Sequence, residues 1–393
     1  MNKAYSAVLA AVFCLLMLSS ALATSSLPPP PNTRITYYPN LNNEEQVFIC
    51  PTDSNVVIAN WRDFRLGYRQ IGIGRSVDGG QTWTDSLISV DMQYFGTDAR
   101  QSDPTMTVDR YGNYYMSVLD YDGVGEDDGS MISFYKSVDK GISWMGPVTH
   151  IPAVYDPLVF EDKQFITVDR TGGPYDGYLY CAWCRFPNPN RIIFVRSTDG
   201  CYSFEDTVVI GPTQSSTGCA PSVLDAGQFA NPMVSANGNV HVFWQGYVLD
   251  SGVTCSGVTS IKQRISTDGG LTFGPEKALL PVSGYTEANG GIDTYSMPVG
   301  DADITDGPFD GNMYIAFTNR GPEDDPEHTD VDFIRSTDNG VTWSDRIQIN
   351  DALDAANMDA FHPWMVVNEE GILVVIFYDQ RYDPTKYSEF DCI

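Results

Sequence analysis

Residues 76–83, Ser-Val-Asp-Gly-Gly-Gln-Thr-Trp, decide the fold of this chain, because the same octapeptide pattern returns four more times. The pattern is S-x-D-x-G-x-[ST]-[WF], and in one copy Cys201 stands in place of the second glycine. The copies are Ser76–Trp83, Ser137–Trp144, Ser197–Phe204, Ser266–Phe273 and Ser336–Trp343, with starts 61, 60, 69 and 70 residues apart. A period of this length, with several short strands in each unit, predicts the blades of a β-propeller.

Each octapeptide has the chemistry of a tight hairpin turn. Its aspartate is expected to accept hydrogen bonds from backbone N–H groups two residues on, as in an Asx-turn. Glycine supplies the positive φ that the reversal requires, and the final Trp or Phe can pack against neighbouring strands. We therefore predict a structural role, with no part in catalysis, for Asp78, Asp139, Asp199, Asp268 and Asp338.

A second pattern repeats in phase with the first. Extended apolar segments precede the octapeptides, and a sixth follows the last: Val56–Trp61, Tyr114–Leu119, Leu179–Trp183, Val240–Trp244, Met313–Phe317 and Ile372–Phe377. Shorter strands precede several of them, at Thr105–Asp109, Gln164–Asp169 and Trp364–Val367. No long stretch has helical periodicity, so the class is all-β. Each blade is expected to contain strands A and B, a variable loop, strand C, the octapeptide and strand D.

Six B strands but five octapeptides indicate that the sequence ends inside a sixth blade. The fold prediction is a six-bladed β-propeller of four-stranded antiparallel blades over residues 34–393, with its sixth blade truncated at the C-terminus. The strand-like segment Arg34–Tyr38 is a candidate outer strand for that blade.

The N-terminus predicts export. Lys3, the apolar run Ala7–Leu18 and the sequence Ala21-Leu22-Ala23 form a cleavable signal peptide over residues 1–23. A proline-rich linker follows over residues 24–33. The apolar run is too short for a membrane span, so no transmembrane segment is expected. The mature protein is expected to be secreted, or to lie at the cell surface or in the periplasm.

The formal net charge of −28 excludes nucleic acid and anionic membrane as partners, because both bind basic surfaces. Acidic clusters at Asp120–Asp128, Asp301–Asp310 and Glu323–Asp332 are candidate structural calcium ligands, although none has EF-hand spacing. No cofactor is required. Among the cysteines, Cys219 and Cys255 are candidates for a disulfide, whereas Cys181-x-x-Cys184 lacks the second pair of a zinc site.

The octapeptides, with Arg or Lys before four of them (Arg75, Lys136, Arg196 and Arg335), resemble the Asp boxes (BNR repeats) of the sialidase, or neuraminidase, superfamily. The resemblance covers about residues 45–393. It implies a propeller whose active face lies opposite the Asp boxes, and a secreted exo-α-sialidase, a glycoside hydrolase that removes terminal sialic acids. In such enzymes three arginines bind the substrate carboxylate, an aspartate is the acid/base, and a tyrosine assisted by a glutamate is the nucleophile.

Parts of that set are present. Asp63 lies in the first B–C loop, Asp103 opens strand A of blade two, and Tyr378 ends strand B of blade six, so these three are the candidate catalytic residues. Arginines follow strand B in four blades and are candidates for a carboxylate clamp, since guanidinium groups bind carboxylates in a bidentate manner. These candidates are Arg62, Arg65, Arg185, Arg320 and Arg381, and His362 is a further candidate for substrate binding.

Three expected family residues are absent. The sequence from Gln46 to Pro51 stands where the family has its first arginine motif, and Phe361-His362-Pro363 stands near the expected tyrosine. Ala230-Asn231-Pro232 opens blade four without a glutamate. Two alternatives to a sialidase therefore remain: a non-catalytic propeller that binds a glycan, glycoprotein or other protein, and a structural module of a larger surface protein. The arginines themselves either clamp a substrate or pair with loop carboxylates.

Overall fold

The computed structural model describes residues 32–89, 95–123, 129–186, 190–212, 225–248, 259–320, 328–351, 358–381 and 391–392. The predicted signal peptide lies outside these ranges, as do all but two residues of the predicted linker and the predicted disulfide partners Cys219 and Cys255. Residues 32–34 form no regular element, and Ile35–Ile393 form one compact unit. Within the described ranges, no helix has the length and apolar character needed to cross a bilayer.

The described residues form twenty-five strands and one 3₁₀ turn at Gly96–Asp98. Sheet 1 contains β1 Asn42–Cys50, β2 Asp53–Asp63, β3 Gln70–Ser76 and β4 Thr84–Leu87. Sheet 2 contains β5 Ala99–Val108, β6 Tyr114–Asp122, β7 Ser130–Ser137 and β8 Met145–Ile151. Sheet 3 contains β9 Phe160–Val168, β10 Leu179–Phe186, β11 Arg191–Ser197 and β12 Val208–Gly211.

Sheet 4 contains β13 Asp225–Val234, β14 Val240–Val248, β15 Ser260–Ser266 and β16 Lys277–Pro281. A hairpin of β17 Tyr285–Ala288 and β18 Ile292–Tyr295 follows it. Sheet 5 contains β19 Val299–Ala302, β20 Met313–Arg320, β21 Thr329–Ser336 and β22 Ile347–Gln348. The last sheet contains β23 Ala360–Val367, β24 Leu373–Asp379 and β25 Asp391–Cys392.

The architecture is an all-β propeller of antiparallel blades, as predicted, but the number of four-stranded blades is five and not six. In each blade the strands pair in chain order. The sheet β23–β25 has three strands in the described residues, and its third strand consists of only two residues, paired with Tyr378 and Asp379. The prediction of an outer strand at Arg34–Tyr38 is wrong, because residues 34–38 form no strand. The side chain of Tyr38 instead lies under Arg65, whose guanidinium carbon is 4.0 Å from the ring centroid.

The hydrophobic core lies between successive sheets. Each of its five clusters contains side chains from two sheets that are neighbours in the chain, from sheets 1 and 2 through to sheet 5 and β23–β25. Trp183 and Trp244 are among the largest side chains that are fully buried. Burial of this size contributes about 25 cal/mol for each Å² of apolar surface removed from water. Stability therefore comes mainly from the contacts of one blade with the next.

The octapeptides form the predicted turns with one difference in hydrogen bonding. Asp78 accepts bonds from the N–H and hydroxyl of Thr82, four residues on, at 2.8 and 2.6 Å, and not from the residue two positions on. Ser76 Oγ accepts the N–H of Gly80 at 2.8 Å. The other four copies repeat this arrangement. The aspartate therefore closes the whole turn, which is wider than an Asx-turn.

The cation before an octapeptide joins its blade to the next one. Arg75 Nε donates to the carbonyl of Lys140, in the following octapeptide, at 2.8 Å. Lys136 Nζ donates to the carbonyl of Gly200 at 2.7 Å, and Arg196 Nη1 to that of Gly269 at 2.9 Å. These cations therefore satisfy turn carbonyls at the end of the propeller that carries the Asp boxes.

Candidate functional site

Strand register defines the face opposite the octapeptides. Asn42, at the start of β1, pairs with Asp63, at the end of β2, and Asp63 pairs with Gln70, at the start of β3. The octapeptide follows β3 at its other end. The start of strand A and the end of strand B therefore meet at one face in every sheet of this kind except sheet 5, and Arg62, Asp63 and Arg65 lie at that face in sheet 1.

The first strand of five sheets carries a β-bulge near this face. At each bulge two residues oppose one apolar residue of the second strand, which is the usual count for a bulge. The bulged pairs are residues 44–45, 103–104, 163–164, 229–230 and 362–363, and they oppose Trp61, Val118, Trp183, Trp244 and Phe377. The same β-bulge thus recurs in the first strand of five sheets.

The first residue of each bulge has a positive φ although it is not glycine. The angles are 61° for Glu44, 51° for Asp103, 53° for Lys163, 59° for Phe229 and 49° for His362. Few non-glycine residues adopt this conformation, and strain of this kind collects at functional sites. We name these five residues the bulge ring. Two residues after Lys163 and His362, the rings of Phe165 and Trp364 stack with centroids 6.0 Å apart.

The bulge ring brings charged side chains of different blades together. The backbone N–H of Asp103 donates to Glu44 Oε2 at 3.0 Å, and Lys163 Nζ lies 3.7 Å from Asp103 Oδ2. Ser102 Oγ donates to Asp103 Oδ1 at 2.7 Å. Arg62 Nη1 lies 3.1 Å from Glu44 Oε1. Two carboxylates and two cations from three blades therefore form one cluster.

The environment separates the pKa values of the two carboxyl groups in this cluster. Burial, followed by the charge of Asp103, raises the pKa of Glu44. Burial alone would also raise the pKa of Asp103, but Lys163, Ser102 and Glu44 together hold it below the usual aspartate value. The cluster therefore favours the ionised form more strongly at Asp103 than at Glu44.

A third carboxyl group lies beside the cluster. Burial, followed by the charge of Asp103, raises the pKa of Asp162 to about 6. Asp162 is partly exposed and comes directly before Lys163 at the bulge of β9. Asp103 and Asp162 thus differ in protonation near pH 6, and such a pair suits general acid and base roles.

Asp63 and Arg65, both predicted site residues, are bound to each other. Asp63 is 1% exposed and accepts the backbone N–H of Arg65 at 2.7 Å and its Nε and Nη2 at 3.0 and 2.7 Å. Trp61 Nε1 donates to the same carboxylate at 2.7 Å. Burial opposes ionisation of Asp63, but these bonds outweigh it and lower its pKa. Arg65 also lies 2.6 Å from Asp85.

The same Asp-x-Arg arrangement recurs at the end of β24. Arg381 donates from its backbone N–H to Asp379 at 2.6 Å and from Nε and Nη2 at 2.9 and 2.7 Å. Its Nη2 also lies 2.6 Å from Asp351. Arg185 pairs with the fully buried Glu161, with Nε at 2.7 Å. Four of the five predicted clamp arginines thus have a carboxyl partner on the protein, and most of these partners lie in strands, with Asp351 in a loop.

The remaining predicted residues differ in environment. Arg320 is exposed at the end of β20. His362 belongs to the bulge ring, and burial, followed by the charge of Lys163, lowers its pKa and favours the neutral ring. Tyr378 is half-buried, with its ring centroid 6.0 Å from that of Phe361. The structure thus brings Asp103, Arg62 and His362 to the bulge ring.

Blade 5 departs from the repeat. Its first strand begins at Val299, which pairs with Ala316, so pairing starts only at the position that follows the bulge in other blades. The β17–β18 hairpin precedes this strand, and Tyr295 in β18 contacts Phe229 of the bulge ring, with ring centroids 5.2 Å apart. The hairpin therefore lies against blade 5 and β23, and Tyr295 reaches Phe229 of blade 4.

No group of three or more His, Cys, Asp or Glu side chains with metal-site geometry occurs in the described ranges. Calcium binding by the acidic clusters stays a prediction, and parts of two of them, Asp120–Asp128 and Glu323–Asp332, lie outside those ranges. Cys181 and Cys184 are buried free thiols whose pKa values are raised by burial. Cys184 Sγ donates to the carbonyl of Gly227 at 3.1 Å, so this thiol serves the packing of β10 against β13.

Sequence reasoning missed Glu44, Asp162, Lys163 and the hairpin. A usable signal was present in the B strands, whose predicted segments end at Trp61, Trp183, Trp244 and Phe377, the residues opposite four of the bulges. Aligning the A strands on these positions would have placed Glu44 and Lys163 beside Asp103 and His362.

No protein-family model matches the chain, and no curated protein matches it. Solved structures do. The GH93 α-L-arabinofuranosidase of Fusarium graminearum, in complex with arabinobiose, is 13% identical with a TM-score of 0.54, over 93% of this chain and 95% of that chain. The intramolecular trans-sialidase from Ruminococcus gnavus is 12% identical with a TM-score of 0.50, over 91% and 94%. A protein of unknown function from Dyadobacter fermentans is 14% identical with a TM-score of 0.55, over 89% and 93%. At sequence identities this low, the similarity to these structures shows a shared fold alone.

Proposed function

We propose that this chain, which has the sialidase-like β-propeller fold, is a glycoside hydrolase that cleaves neutral glycans at the bulge ring. The observation that carries the proposal is the pair Asp103 and Asp162, two neighbouring carboxyl groups whose pKa values are shifted in opposite directions. Glycoside hydrolysis requires one protonated and one ionised carboxyl group beside the scissile bond. Solved structures with this fold include an arabinofuranosidase and an arabinanase bound to arabinobiose.

In this proposal Asp162 is the general acid that protonates the departing glycosidic oxygen. Asp103 is the ionised carboxylate that stabilises positive charge at the sugar, as nucleophile or as base. Glu44 is a positioning residue, because its side chain binds both the backbone N–H and the carboxylate of Asp103. Lys163 and Arg62 favour the ionised form of Asp103.

The choice of a neutral glycan rests on the arginines. A sialic acid carboxylate needs cations that are free to bind it, and Arg62, Arg65, Arg185 and Arg381 already pair with carboxylates of the protein. Exchanging such a pair for a substrate leaves a buried carboxylate without its partner, which is costly. An exo-α-sialidase, the activity that the sequence resemblance implied, would require that exchange at every predicted clamp arginine except the exposed Arg320.

The test is turnover of two substrate classes by the purified chain. We expect hydrolysis of 4-nitrophenyl glycosides of neutral sugars, with α-L-arabinofuranoside first, or of arabinobiose, and none of 4-methylumbelliferyl α-sialoside. Asp103→Asn should lower kcat by about a hundredfold or more, while the exposed neighbour variant Glu45→Gln keeps the activity. Circular dichroism and the unfolding midpoint must be unchanged in both variants.

Two outcomes would reject this proposal. Turnover of the sialoside alone, lost in Arg320→Ala or Asp63→Ala, would establish a sialidase with an arginine clamp. A folded protein with no turnover of either class would establish the non-catalytic alternative, a glycan- or protein-binding module.

Two further expectations belong to the same proposal. The substrate would be met outside the cell, and secretion is tested by finding mature protein that begins at Thr24 in the culture medium. The sheet β23–β25 would be the sixth blade, because it packs on sheet 5 through Val299, Tyr314 and Met365 as the other blades pack on one another.

A further inference from the structure

The β17–β18 hairpin has one buried and one open face. Thr286, Ala288 and Thr294 are almost fully buried, and the hydroxyl groups of the two threonines are 2.6 Å apart. The alternate residues point the other way. Tyr285 pairs with Tyr295, and Glu287 pairs with Asp293, so these four side chains share the open face, since opposite residues of a hairpin lie on the same side.

Hydrogen bonds hold the hairpin in place on the active face. Its turn, Asn289-Gly290-Gly291, uses positive φ at both glycines. The backbone N–H of Asn289 donates to the fully buried Asp359 at 2.8 Å, and Gln380 Nε2 donates to the carbonyl of Asn289 at 2.9 Å. A two-stranded hairpin is marginally stable by itself. The bonds to Asp359, directly before β23, and to Gln380, directly after β24, therefore keep the open face of the hairpin in a fixed position.

The open face combines aromatic rings with hydrogen-bond acceptors. The rings of Tyr285 and Tyr295 have centroids 5.6 Å apart and are tilted by 58°, and Tyr285 is 53% exposed. Tyr285 Oη donates to Asp293 Oδ1 at 2.7 Å, and Glu287 and Asp293 are exposed. No cation occurs among the eight residues of the two strands. Such a surface suits a ligand with apolar C–H faces and many hydroxyl donors, and it disfavours an anion.

Contacts through β13 connect the open face of the hairpin to the carboxyl groups near the bulge ring. Tyr295 contacts Phe229, and Phe229 belongs to the same ring of bulges as Asp103 and Lys163. The side chain of Gln228, directly before Phe229, hydrogen-bonds Asp162. The aromatic face and the proposed general acid are therefore joined through two consecutive residues of β13.

We propose that Tyr285 and Tyr295, with Glu287 and Asp293, form a subsite that binds a sugar unit of a neutral oligosaccharide beyond the unit bound at the carboxylates. This inference rests on the proposed function for the identity of the ligand. Sugar C–H groups pack on the two rings, and the carboxylates accept hydrogen bonds from its hydroxyl groups. The substrate class is then an oligomeric neutral glycan and not a single sugar on an aglycone.

The experiment separates the subsite from catalysis. Binding to a glycan array that carries neutral arabinan, xylan and galactan oligosaccharides and sialylated glycans is measured with Asp103→Asn, alone and combined with Tyr285→Ala. We expect Asp103→Asn to bind neutral oligosaccharides and the double variant to bind them about tenfold more weakly. Tyr285→Phe keeps the ring and should retain binding.

A matched control is Tyr111→Ala. Tyr111 is also an exposed tyrosine whose hydroxyl donates to an aspartate, Asp176, but it lies at the opposite end of the blades. The variant Tyr111→Ala should leave binding to the glycan array unchanged. For the active chain, Tyr285→Ala should raise KM for an oligosaccharide more than KM for a 4-nitrophenyl monoglycoside, with a smaller effect on kcat.

The subsite would be overturned if Asp103→Asn and the Asp103→Asn, Tyr285→Ala double variant bind neutral glycans equally. It would also be overturned if Asp103→Asn binds no neutral glycan, even where the parent chain hydrolyses one. Conversely, Tyr285-dependent binding without any turnover would support the subsite and reject the hydrolase.

Discussion

Lys163 Nζ lies 3.7 Å from Asp103 Oδ2, and the two residues occupy equivalent bulges of neighbouring inner strands, with φ of 53° and 51°. The ion pair therefore exists because both strands bend in the same way at the same level. A positive φ costs an ordinary residue about 1 kcal/mol or more. The backbone strain is therefore confined to the two bulge residues whose side chains form the ion pair.

The proposed acid and base predict the pH dependence of hydrolysis. Activity needs Asp162 protonated and Asp103 ionised. Since the pKa of Asp162 is raised to about 6, kcat/KM should fall as the pH rises above this value. Since the pKa of Asp103 is lowered, the acidic limb should lie below the usual aspartate range. A pH profile of kcat/KM on a neutral glycoside measures both limbs.

Asp162→Asn tests the assignment of the acid. A 4-nitrophenyl leaving group needs little protonation, whereas the alcohol leaving group of a disaccharide needs it. The variant should lose about a hundredfold in kcat on the disaccharide but much less on the aryl glycoside, and its alkaline limb should disappear. Persistence of that limb in Asp162→Asn would assign the acid to another residue.

Glu44 should act through Asp103. Glu44→Gln keeps an oxygen for the N–H of Asp103 and supplies N–H donors to its carboxylate, whereas Glu44→Ala removes both contacts. We expect Glu44→Ala to lower kcat about tenfold at unchanged KM and to move the acidic limb, with Glu44→Gln closer to the parent. Equal loss in both variants would indicate a group that transfers a proton itself.

The Asp63–Arg65 pair should affect folding more than turnover. Asp63→Asn weakens three hydrogen bonds to Arg65 at a buried site and should lower the free energy of unfolding by about 2 kcal/mol. The lowered pKa of Asp63 means that the pair stabilises the fold at neutral pH and that this contribution is lost as the pH falls through that pKa. Urea unfolding at two pH values measures the effect.

The same variant decides between two roles for Asp63. If Asp63 were the acid/base that the family resemblance implied, kcat would fall steeply in folded Asp63→Asn at unchanged stability. We expect the folded variant to keep most of its activity.

The links between successive Asp boxes predict a graded loss of stability. Lys136 is 6% exposed, donates to the carbonyl of Gly200, and lies 4.1 Å from the ring centroid of Tyr202. Lys136→Met keeps the apolar stem and should cost about 1–3 kcal/mol, because the turn carbonyl loses its donor. Lys277 makes the same kind of bond, to Val341, at an exposed position. Lys277→Met should change the unfolding midpoint much less, and an equal effect would contradict a role for burial.

The sequence was sufficient for the class, the repeat and the B strands, because these depend on local chemistry. All six predicted B segments lie within observed strands, the last with a start one residue later at Leu373. The A strands were predicted too short. Thr105–Asp109 begins just after its bulge and Gln164–Asp169 begins within its bulge, whereas the strands begin at Ala99 and Phe160. The missing halves are rich in polar and charged residues, so hydrophobic patterning could not reveal them.

The arginines show a second limit of sequence reasoning. Arg65 and Arg381 follow strand B as predicted, whereas Arg62, Arg185 and Arg320 lie within its last two residues. The sequence did not reveal the partners from other strands and loops, such as Asp85 for Arg65 and Asp351 for Arg381. Whether a cation is free for a substrate depends on such tertiary pairs.

The repeated bulges separate backbone shape from side-chain identity. Glutamate, aspartate, lysine, phenylalanine and histidine all occupy the same backbone conformation, one in each of five sheets. The backbone of the bulge ring therefore accepts different side chains. A residue at one of these five positions can be replaced without a change in the pairing of the sheets. Randomising only these five codons in a gene library should yield mostly folded propellers that differ in what they recognise.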